Sequence, residues 1–409
     1  MSIASPVDPV DLSPVGLSPV DLFPSARSPS ARPPSARPPS ARPRTAVPVL
    51  LLVGDTGGGH RSAAAAVADA LRTGYPDAYR PVVVDPLAHR RSGWLTRRAA
   101  GAYGPLIRRS PRLWGLLYRV SDSDSAVRAL QRTALRGLHR AVTDAVDAIQ
   151  PAAVVSFHPL VADAAARAAR ARLQPVPSVT VVTDLVTLHR AWFAPADRIV
   201  VPPAGQLRLP VGPAYQWGPP AAGERARLRA RLGVADDGFL VVLMGGGEGS
   251  GGLGRRARAL LRSEPDAQVA VLCGRNHRLQ RRLAGHPASR DGRLVVRGFV
   301  DGVADWLRAA DLVVTKAGPA TLAEAAGCGT PMLLTGHLPG QEAGNAGVAV
   351  AAGAARWAPT VPGMVEQVGA LRADPAALAG MRAAATRLAD PGAAASVASL
   401  VHQLAGARP

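Results

Sequence analysis

The feature that most constrains the fold is an alternation along the chain. From Pro48 onward, short β-branched and aliphatic runs alternate with alanine-rich runs of helical length: PVLLLV, SAAAAVADAL, PVVVDPL, a long helical stretch to Ile149, AAVVSF, VADAAARAARARL and SVTVVTDL. A second series begins at Gly238 with GFLVVLMGGG and continues through AQVAVLCG, RLVVRGF, ADLVVTKAG and TPMLLTG. Parallel strands need long crossover connections, so this pattern is typical of parallel sheets covered by helices. The sequence predicts an α/β chain with two doubly wound domains facing a cleft.

The two series and the segments around them give a domain division. Residues 1–45 repeat PSAR and are rich in Pro, Ser, Ala and Arg, a composition that favours a disordered basic tail. A transit peptide is a poorer interpretation, because Asp8, Asp11 and Asp21 break the acid-poor pattern. The PVGPAYQWGPP segment is the expected hinge. We therefore predict an N-terminal domain at 46–208 and a C-terminal domain at 209–409, and allow for the last helix to pack back on the N-terminal domain.

Composition indicates the cellular compartment and the kind of surface that this chain is expected to meet. Two cysteines among 409 residues exclude a disulfide framework and favour a reducing cytoplasm. The formal net charge of +19 favours anionic surfaces. No run of about 18 strongly apolar residues occurs, and the start lacks a secretory pattern. Any membrane contact is therefore expected to be peripheral.

Two strands end in glycine turns that open helices, at VGDTGGGHRSAA and at TKAGPATLAEAAG. Such a turn presents free N–H groups at the positive end of a helix dipole, which suits a phosphate. In the second turn, Gly318 allows close backbone approach and Pro319 is favoured at the first helical position. Thr321 and Glu324 share a helix face near that N-terminus. Lys316, just before them, is the single lysine among 48 basic residues, which favours a need for a compact ammonium.

A polar cluster follows downstream. The PGQEAGN segment places Gln341, Glu342 and Asn345 within one helical turn, where they can hydrogen-bond sugar hydroxyls. A diphosphate on the helix N–H groups would leave Glu324 free to accept both hydroxyls of an attached ribose. The alternative is that these glutamates are solvated helix-start carboxylates stabilised by the dipole. Clustering of glycines, carboxylates and amides within about 25 residues favours the ligand site.

The first turn ends in His60, directly after three glycines. Imidazole can remove a proton from an acceptor hydroxyl near neutral pH, and a helix N-terminus would keep it uncharged. The alternative is that His60 caps its helix or orients the loop. Asp184, His158 and His189 are further cleft candidates at strand ends, each equally compatible with a structural hydrogen-bonding role.

A basic stretch at residues 90–119 carries eight arginines, no acidic residue, and tryptophans and tyrosines among leucines. Arginine interleaved with amphipathic aromatics suits a bilayer interface with anionic lipids. Alternatively, the arginines are solvated and the aromatics lie in the core; binding of single-stranded nucleic acid is less favoured, and no nucleic-acid partner is expected. The membrane-facing candidates are Arg90, Arg91, Trp94, Arg97, Arg98, Arg108, Arg109 and Trp114.

One further motif favours a different kind of ligand, a dinucleotide cofactor. GEGSGG at residues 247–252 matches the dinucleotide fingerprint, which would imply a nicotinamide cofactor. The match is weak in a glycine-rich run, and nothing else in the chain supplies hydride chemistry. The TDL segment that begins at Thr183 is not an Asp-x-Asp metal motif, so we expect neither a cofactor nor a metal.

The ordered motifs together resemble the monogalactosyldiacylglycerol synthases and related diacylglycerol glucosyltransferases, which belong with the murein-precursor glycosyltransferases. The first domain contributes GDTGGGHRSAA, VSFHPL and VVTDLVTLHRAWFAPADR, and the second MGGGEG, LCGRN, RGFV, TKAGPATLAEA and LPGQEAGN. The resemblance implies a GT-B fold of two Rossmann-like domains, with a UDP-sugar held by the C-terminal half and a lipid acceptor by the N-terminal half. One departure is Ala320, where the family usually has glycine.

Carried onto this sequence, the resemblance implies that the backbone around Phe299 receives the uracil, Glu324 the ribose, and residues 318–321 the diphosphate. Gln341 and Glu342 would hold the hexose. The implied donor-binding set is Gly246, Gly247, Gly274, Arg275, Phe299, Val300, Lys316, Gly318, Pro319, Ala320, Thr321, Glu324, Gln341 and Glu342. The implied acceptor and cleft set is Gly58, Gly59, His158, Asp184 and His189, with His60 as the catalytic base.

These residues lead to one expected activity. The chain would transfer galactose or glucose, with inversion, from UDP-galactose or UDP-glucose to diacylglycerol, as a peripheral protein on the inner face of the cell membrane. A polyprenyl-linked cell-wall precursor or another lipid is the alternative acceptor. A membrane protein that binds UDP-sugar without catalysis is the alternative from a different class.

Overall fold

The computed structural model describes residues 46–54, 58–203, 206–210, 218–221 and 223–406, with Leu95 described in its backbone only. The expectations for the tail at 1–45 lie outside the described residues. So does most of the proposed hinge, which falls on residues 211–217.

The first half of the chain forms a five-stranded parallel sheet in the order β2-β1-β3-β4-β5. Its strands are β1 (Val47–Leu52), β2 (Tyr79–Val84), β3 (Ala153–Ser156), β4 (Ser178–Val181) and β5 (Arg198–Val200). Its helices are α1 (Gly59–Gly74), α2 (Trp94–Arg109), α3 (Pro111–Ser121), α4 (Asp124–Arg132), α5 (Arg136–Ile149) and α6 (Pro159–Arg170).

The helical stretch predicted up to Ile149 is four helices, α2 to α5. Pro111 occupies the first turn of α3, where its missing N–H costs nothing. The Ser123 hydroxyl caps α4 by accepting from the N–H of Ala126. These local start signals divide the stretch.

The second half forms a six-stranded parallel sheet in the order β11-β10-β9-β6-β7-β8. Its strands are β6 (Phe239–Met244), β7 (Ala267–Leu272), β8 (Leu294–Arg297), β9 (Leu312–Thr315), β10 (Met332–Leu334) and β11 (Ala355–Trp357). Its helices are α7 (Glu224–Leu232), α8 (Leu253–Ser263), α9 (His277–Ala284), α10 (Pro287–Arg290), α11 (Val303–Ala309), α12 (Pro319–Gly327), α13 (Asn345–Ala351), α14 (Val361–Arg372), α15 (Pro375–Leu388) and α16 (Ala393–Gly406).

Both sheets are covered on two faces. Leu50 and Leu51 point to opposite sides of β1, and both are fully buried in separate apolar clusters. Val241 and Val242 do the same in β6. Burial on both faces explains why these strands read as continuous apolar runs, and it confirms the predicted doubly wound α/β fold.

The last helix packs against the first half of the chain. Val397 and Val401 of α16 share a buried cluster with Val67 of α1. His402 adds a polar contact, since its Nδ1 lies 2.9 Å from the Tyr79 hydroxyl. The chain therefore crosses between the two sheets a second time near its end.

Each of the two glycine turns follows a strand that borders the point where the strand order of its sheet reverses. Helix α1 follows β1, which lies between β2 and β3, and α12 follows β9, which lies beside β6. At such points the sheet order reverses, and the helices on either side diverge to leave a crevice at the carboxyl ends of the strands. The fold thus directs both helix N-termini toward binding positions.

Candidate functional site

A cavity of about 410 Å³ lies between the two sheets, and residues of both glycine turns line it. The N-termini of α1 and α12 face each other across it, and Ser62 on α1 donates a hydrogen bond of 2.9 Å to Glu324 on α12. A β-carbon added at Gly59 would lie 3.2 Å from the Ala320 methyl. The alanine that departs from the expected glycine therefore packs against the backbone of the opposite turn.

The C-terminal wall of the cavity is ionic. Lys316 pairs with the Glu342 carboxylate, and the other Glu342 oxygen accepts from the Leu338 N–H at 2.7 Å. A β-carbon at Gly318 would lie 3.0 Å from the Lys316 ammonium. Glycine therefore leaves that ammonium room beside the first turn of α12, which carries no acidic residue. The arrangement offers an ammonium and free amides to an anion.

Glu324 lies on the cavity wall, where protein surrounds its carboxyl. Burial raises the pKa of Glu324 to about 7, although the hydrogen bond from Ser62 opposes the shift. The carboxylate is thus poorly solvated and has a donor on one oxygen only among the described residues. A ligand hydroxyl on this carboxylate would relieve part of that desolvation cost.

The N-terminal wall carries the buried imidazole of His60 and, beside it on α1, the exposed Arg61. The His60 ring is buried, and its Nδ1 lies 2.8 Å from the Thr183 hydroxyl. Burial lowers the pKa of His60 to about 4. The ring is therefore neutral at pH 7, and burial, instead of the helix N-terminus invoked from the sequence, is the largest cause.

Asp184 connects the two walls. Its carboxylate accepts from the Trp192 indole at 2.7 Å and from the Gln341 amide at 3.3 Å. Burial raises the pKa of Asp184 to about 6, and the two hydrogen bonds oppose the shift. The Asp184–Gln341 bond crosses from the first half of the chain to the second and orients one predicted sugar-binding side chain.

The other two histidine candidates do not line the cavity. His158 Nδ1 accepts from the Leu160 N–H at the start of α6, and its ring packs edge-on against His60, with centroids 4.6 Å apart. His189 Nδ1 accepts from the Ala191 N–H at the start of a 3-10 turn. Both side chains cap local structure, which is the structural role that the sequence left open.

Most predicted site residues share the cavity wall. Those that line it are Gly58, Gly59, His60, Asp184, Gly246, Gly247, Gly274, Phe299, Val300, Lys316, Gly318, Pro319, Ala320, Thr321, Glu324, Gln341 and Glu342. Arg275 does not line it; its guanidinium lies over the Phe299 ring, 5.0 Å from the centroid.

Sequence reasoning missed several lining residues: Ser62, Tyr103, Ile107, Thr183 and Glu248. Tyr103 belongs to the basic stretch of residues 90–119, and Glu248 belongs to the GEGSGG motif. Tyr103 and Ile107 line the cavity because α2 packs beside the second half of the chain, and local sequence patterns do not reveal that packing.

The basic stretch divides between surface and interior. Arg108 turns into the cleft and pairs with Glu248. Trp114 packs edge-on against Tyr103, with centroids 5.0 Å apart. These two residues therefore do not present themselves to a membrane from this conformation. The exposed members are Arg90, Arg91, Trp94, Arg98 and Arg109, with Arg97 partly exposed.

Helix α3 adds an apolar stripe to that surface. Leu113, Leu116, Leu117 and Val120 recur at helical spacing and are each about half exposed or more. Within the described part of the chain, no helix is long and apolar enough to cross a bilayer. The same residues contain no group of three or more His, Cys, Asp or Glu side chains arranged for a metal.

Comparison with family models divides the chain in the same way as the two sheets. Residues 60–204 match the model described as monogalactosyldiacylglycerol (MGDG) synthase. Residues 240–360 match the glycosyltransferase family 28 C-terminal domain. Apart from Gly58 and Gly59, the residues that line the cavity fall within these two matched segments.

Relatives cover most of the chain. It is 34% identical over 333 residues to the chloroplastic monogalactosyldiacylglycerol synthase of Spinacia oleracea, covering 73% of this chain and 60% of the spinach protein. It is 31% identical over 386 residues to monogalactosyldiacylglycerol synthase 1 of Arabidopsis thaliana, covering 87% and 70%. The chain thus spans less than two thirds of the spinach protein's length.

Solved structures show the same fold. MurG of Acinetobacter baumannii superposes with a TM-score of 0.53 at 18% identity, covering 87% of this chain and 99% of that protein. The glycosyltransferase VinC, solved with dTDP, gives 0.57 at 16% identity, covering 88% and 100%. These likenesses concern the fold, and they confirm the predicted GT-B architecture.

Proposed function

Because the chain belongs to the monogalactosyldiacylglycerol synthase family, we propose that it transfers a hexose from a UDP-sugar to diacylglycerol, with inversion, to form a β-glycosyl diacylglycerol. The observation that carries this proposal is the single cavity in which an ionic helix N-terminus faces a neutral, buried imidazole. An anionic leaving group and a hydroxyl acceptor need those two environments.

The C-terminal wall suits the donor. Lys316 and the amides at the start of α12 would receive the diphosphate, so that negative charge developing on UDP is stabilised where it appears. The Glu324 carboxylate, which lies one helical turn further on, would accept the ribose hydroxyls. Gln341 and Glu342, held by Asp184 and Lys316, would bind the hexose. No metal is needed in this scheme.

The N-terminal wall suits the acceptor. His60 would take the proton of the acceptor hydroxyl on Nε2, in the neutral tautomer whose Nδ1–H donates to the Thr183 hydroxyl. The acceptor oxygen then forms a bond to the anomeric carbon on the face opposite UDP. The bond from that carbon to the UDP oxygen breaks, and its electron pair leaves with UDP.

The surface of α3 and the neighbouring arginines supports a peripheral membrane position. Half-exposed leucines would enter the interface while Arg109, Arg112 and Arg119 meet anionic head groups. Diacylglycerol would then approach the cavity from this side, past Tyr103 and Ile107. We place the protein on the cytoplasmic face of a membrane on this basis.

The test is UDP release by the purified full chain in liposomes with and without diacylglycerol, corrected for hydrolysis. The proposal expects diacylglycerol-dependent release with UDP-galactose or UDP-glucose, and mass spectrometry of the lipid identifies the sugar. Release only with a polyprenyl-linked acceptor would replace the lipid in the proposal. No acceptor-dependent release with any lipid would identify a UDP-sugar-binding protein without catalysis.

A further inference from the structure

Helix α2 is fastened to the opposite half of the chain through one carboxylate. Arg108, in the last turn of α2, pairs with one oxygen of Glu248, which lies in the loop of residues 245–252. Arg275 binds the other oxygen at 3.0 Å. The Glu248 side chain is 11% exposed. A buried carboxylate is tolerated only when it is paired. Here two guanidinium groups, one from each half of the chain, together compensate the negative charge of Glu248.

The surface of α2 has room for this carboxylate because of one glycine. A β-carbon at Gly104 would lie 2.0 Å from Glu248 Oε2, so any side chain there would displace the carboxylate. Gly101, one turn earlier on α2, is exposed and would meet nothing within 4 Å. The two glycines therefore form a matched pair, of which only Gly104 makes room for Glu248.

The contact continues from Glu248 toward the cavity. The Arg275 guanidinium lies 5.0 Å from the centroid of the Phe299 ring, which lines the cavity and is half exposed. The backbone N–H of Arg275 also donates to the Gly247 carbonyl at 2.8 Å. A cation over an aromatic face orients both groups. A displacement of Glu248 is thus transmitted to Arg275 and to the Phe299 segment.

We infer that Glu248 is a positioning residue through which Arg108 of the surface helix sets nucleotide affinity at the Phe299 segment. The inference rests on the proposed function, since it takes that segment to receive the base of UDP. It goes further by linking the helix pair α2 and α3, whose outer surface is apolar and basic, to donor binding. Glu248 itself need not touch the nucleotide.

The experiment is calorimetric titration of the full chain with UDP. Arg108→Ala, Gly104→Ala and Glu248→Ala are each expected to raise the dissociation constant of UDP about three- to tenfold, in the lower part of the range of coupling between contacting residues. Arg108→Lys keeps a cation beside the carboxylate and should bind UDP more tightly than Arg108→Ala. Gly101→Ala is the control and should leave the constant unchanged.

Double variants separate a relay from general damage. If Arg108 and Gly104 act through Glu248, then adding Arg108→Ala or Gly104→Ala to Glu248→Ala should weaken UDP binding no further. Gly104 precedes Pro105, so alanine there also strains the helix and is expected to lower Tm. A lower Tm with an unchanged UDP dissociation constant would overturn the inference, as would losses that add in the double variants. If the wild-type chain does not bind UDP, the proposed function itself fails.

Discussion

The N-termini of α1 and α12 use the same backbone device in opposite electrostatic surroundings. Each helix follows a central strand and a glycine turn, and neither has an acidic residue in its first turn. Around α12 lie the ion pair of Lys316 and Glu342 and the buried Glu324. At the start of α1 the buried, neutral His60 is bonded to Thr183, and the neighbouring cation, Arg61, is exposed. The backbone thus supplies two similar crevices, and the side chains decide that one suits an anion and the other an alcohol.

Replacing the imidazole tests the neutral side of this comparison, and we expect the largest effect there. His60→Gln should lower kcat about 10²- to 10⁴-fold, the usual worth of a general base, while changing UDP affinity less than about twofold. Glutamine keeps polar atoms near Thr183 and limits loss of packing. Steady-state kinetics in diacylglycerol liposomes and titration with UDP measure the two quantities.

The matched control is His277→Gln, since His277 is exposed at the start of α9 and does not line the cavity. It should leave kcat unchanged. Retention of more than about a tenth of wild-type kcat by His60→Gln would assign His60 to orientation of its loop, because a base contributes at least about a hundredfold.

Replacing the cavity carboxylate tests the ionic side. Glu324→Gln should weaken UDP binding about 10- to 100-fold, since hydrogen bonds to a charged group contribute about 1.5–3 kcal/mol. The exposed Glu366→Gln on α14 is the control and should bind UDP as the wild type does. Equal UDP affinity in Glu324→Gln would contradict the assignment of the ribose to this carboxylate.

The pH dependence sharpens the same assignment. With its pKa raised to about 7, Glu324 is ionised above that pH and protonated below it. The UDP affinity of the wild type should therefore fall as the pH is lowered from about 8 to about 6, and that of Glu324→Gln should change less. If the wild-type affinity for UDP rose as the pH fell, the result would contradict the proposal that the ionised Glu324 carboxylate binds the ribose.

The stability of the free protein follows from the same shift. Because the folded-state pKa lies above the usual value, Glu324 contributes to the free energy of unfolding at low pH, and the contribution is lost as the pH rises through about 7. Glu324→Gln should therefore exceed the wild type in stability at about pH 8, on the order of 1–3 kcal/mol, and match it near about pH 4, below the usual pKa of the carboxyl. Urea unfolding at the two pH values measures the difference.

The smallest expected effect concerns the shape of the cation. Lys316→Arg keeps the charge beside Glu342 but replaces a compact ammonium next to Gly318 with a larger, planar guanidinium. UDP affinity should fall about three- to tenfold. Unchanged UDP affinity would show that only the charge at this position matters for binding. The presence of lysine instead of arginine there would then have no functional reason.

The sequence predicted the architecture and the cavity residues from strand ends and helix starts. Residues such as Gly318, Glu324 and Gln341 follow directly from the ends of strands, and the carboxyl ends of parallel strands meet at one edge. The direction of Arg108 and the place of Tyr103 could not be predicted, because they depend on how α2 packs against the second sheet. Helical periodicity identifies a face but not the partner that covers it.

The histidines show a second limit. His158 and His189 lie in polar segments after strands, as His60 does, yet their Nδ1 atoms are used by N–H groups two residues later. An imidazole at a helix start can serve as a cap or as a base. Only the three-dimensional partners distinguish the two roles.

A crystal structure of the full chain with UDP tests the central claim most directly. The account predicts density for the diphosphate at the start of α12 beside Lys316, with the ribose on Glu324 and the Ser62 hydrogen bond replaced or shared. Density for the diphosphate at the start of α1, against Gly58 and His60, would contradict the assignment of anion and alcohol to the two helices.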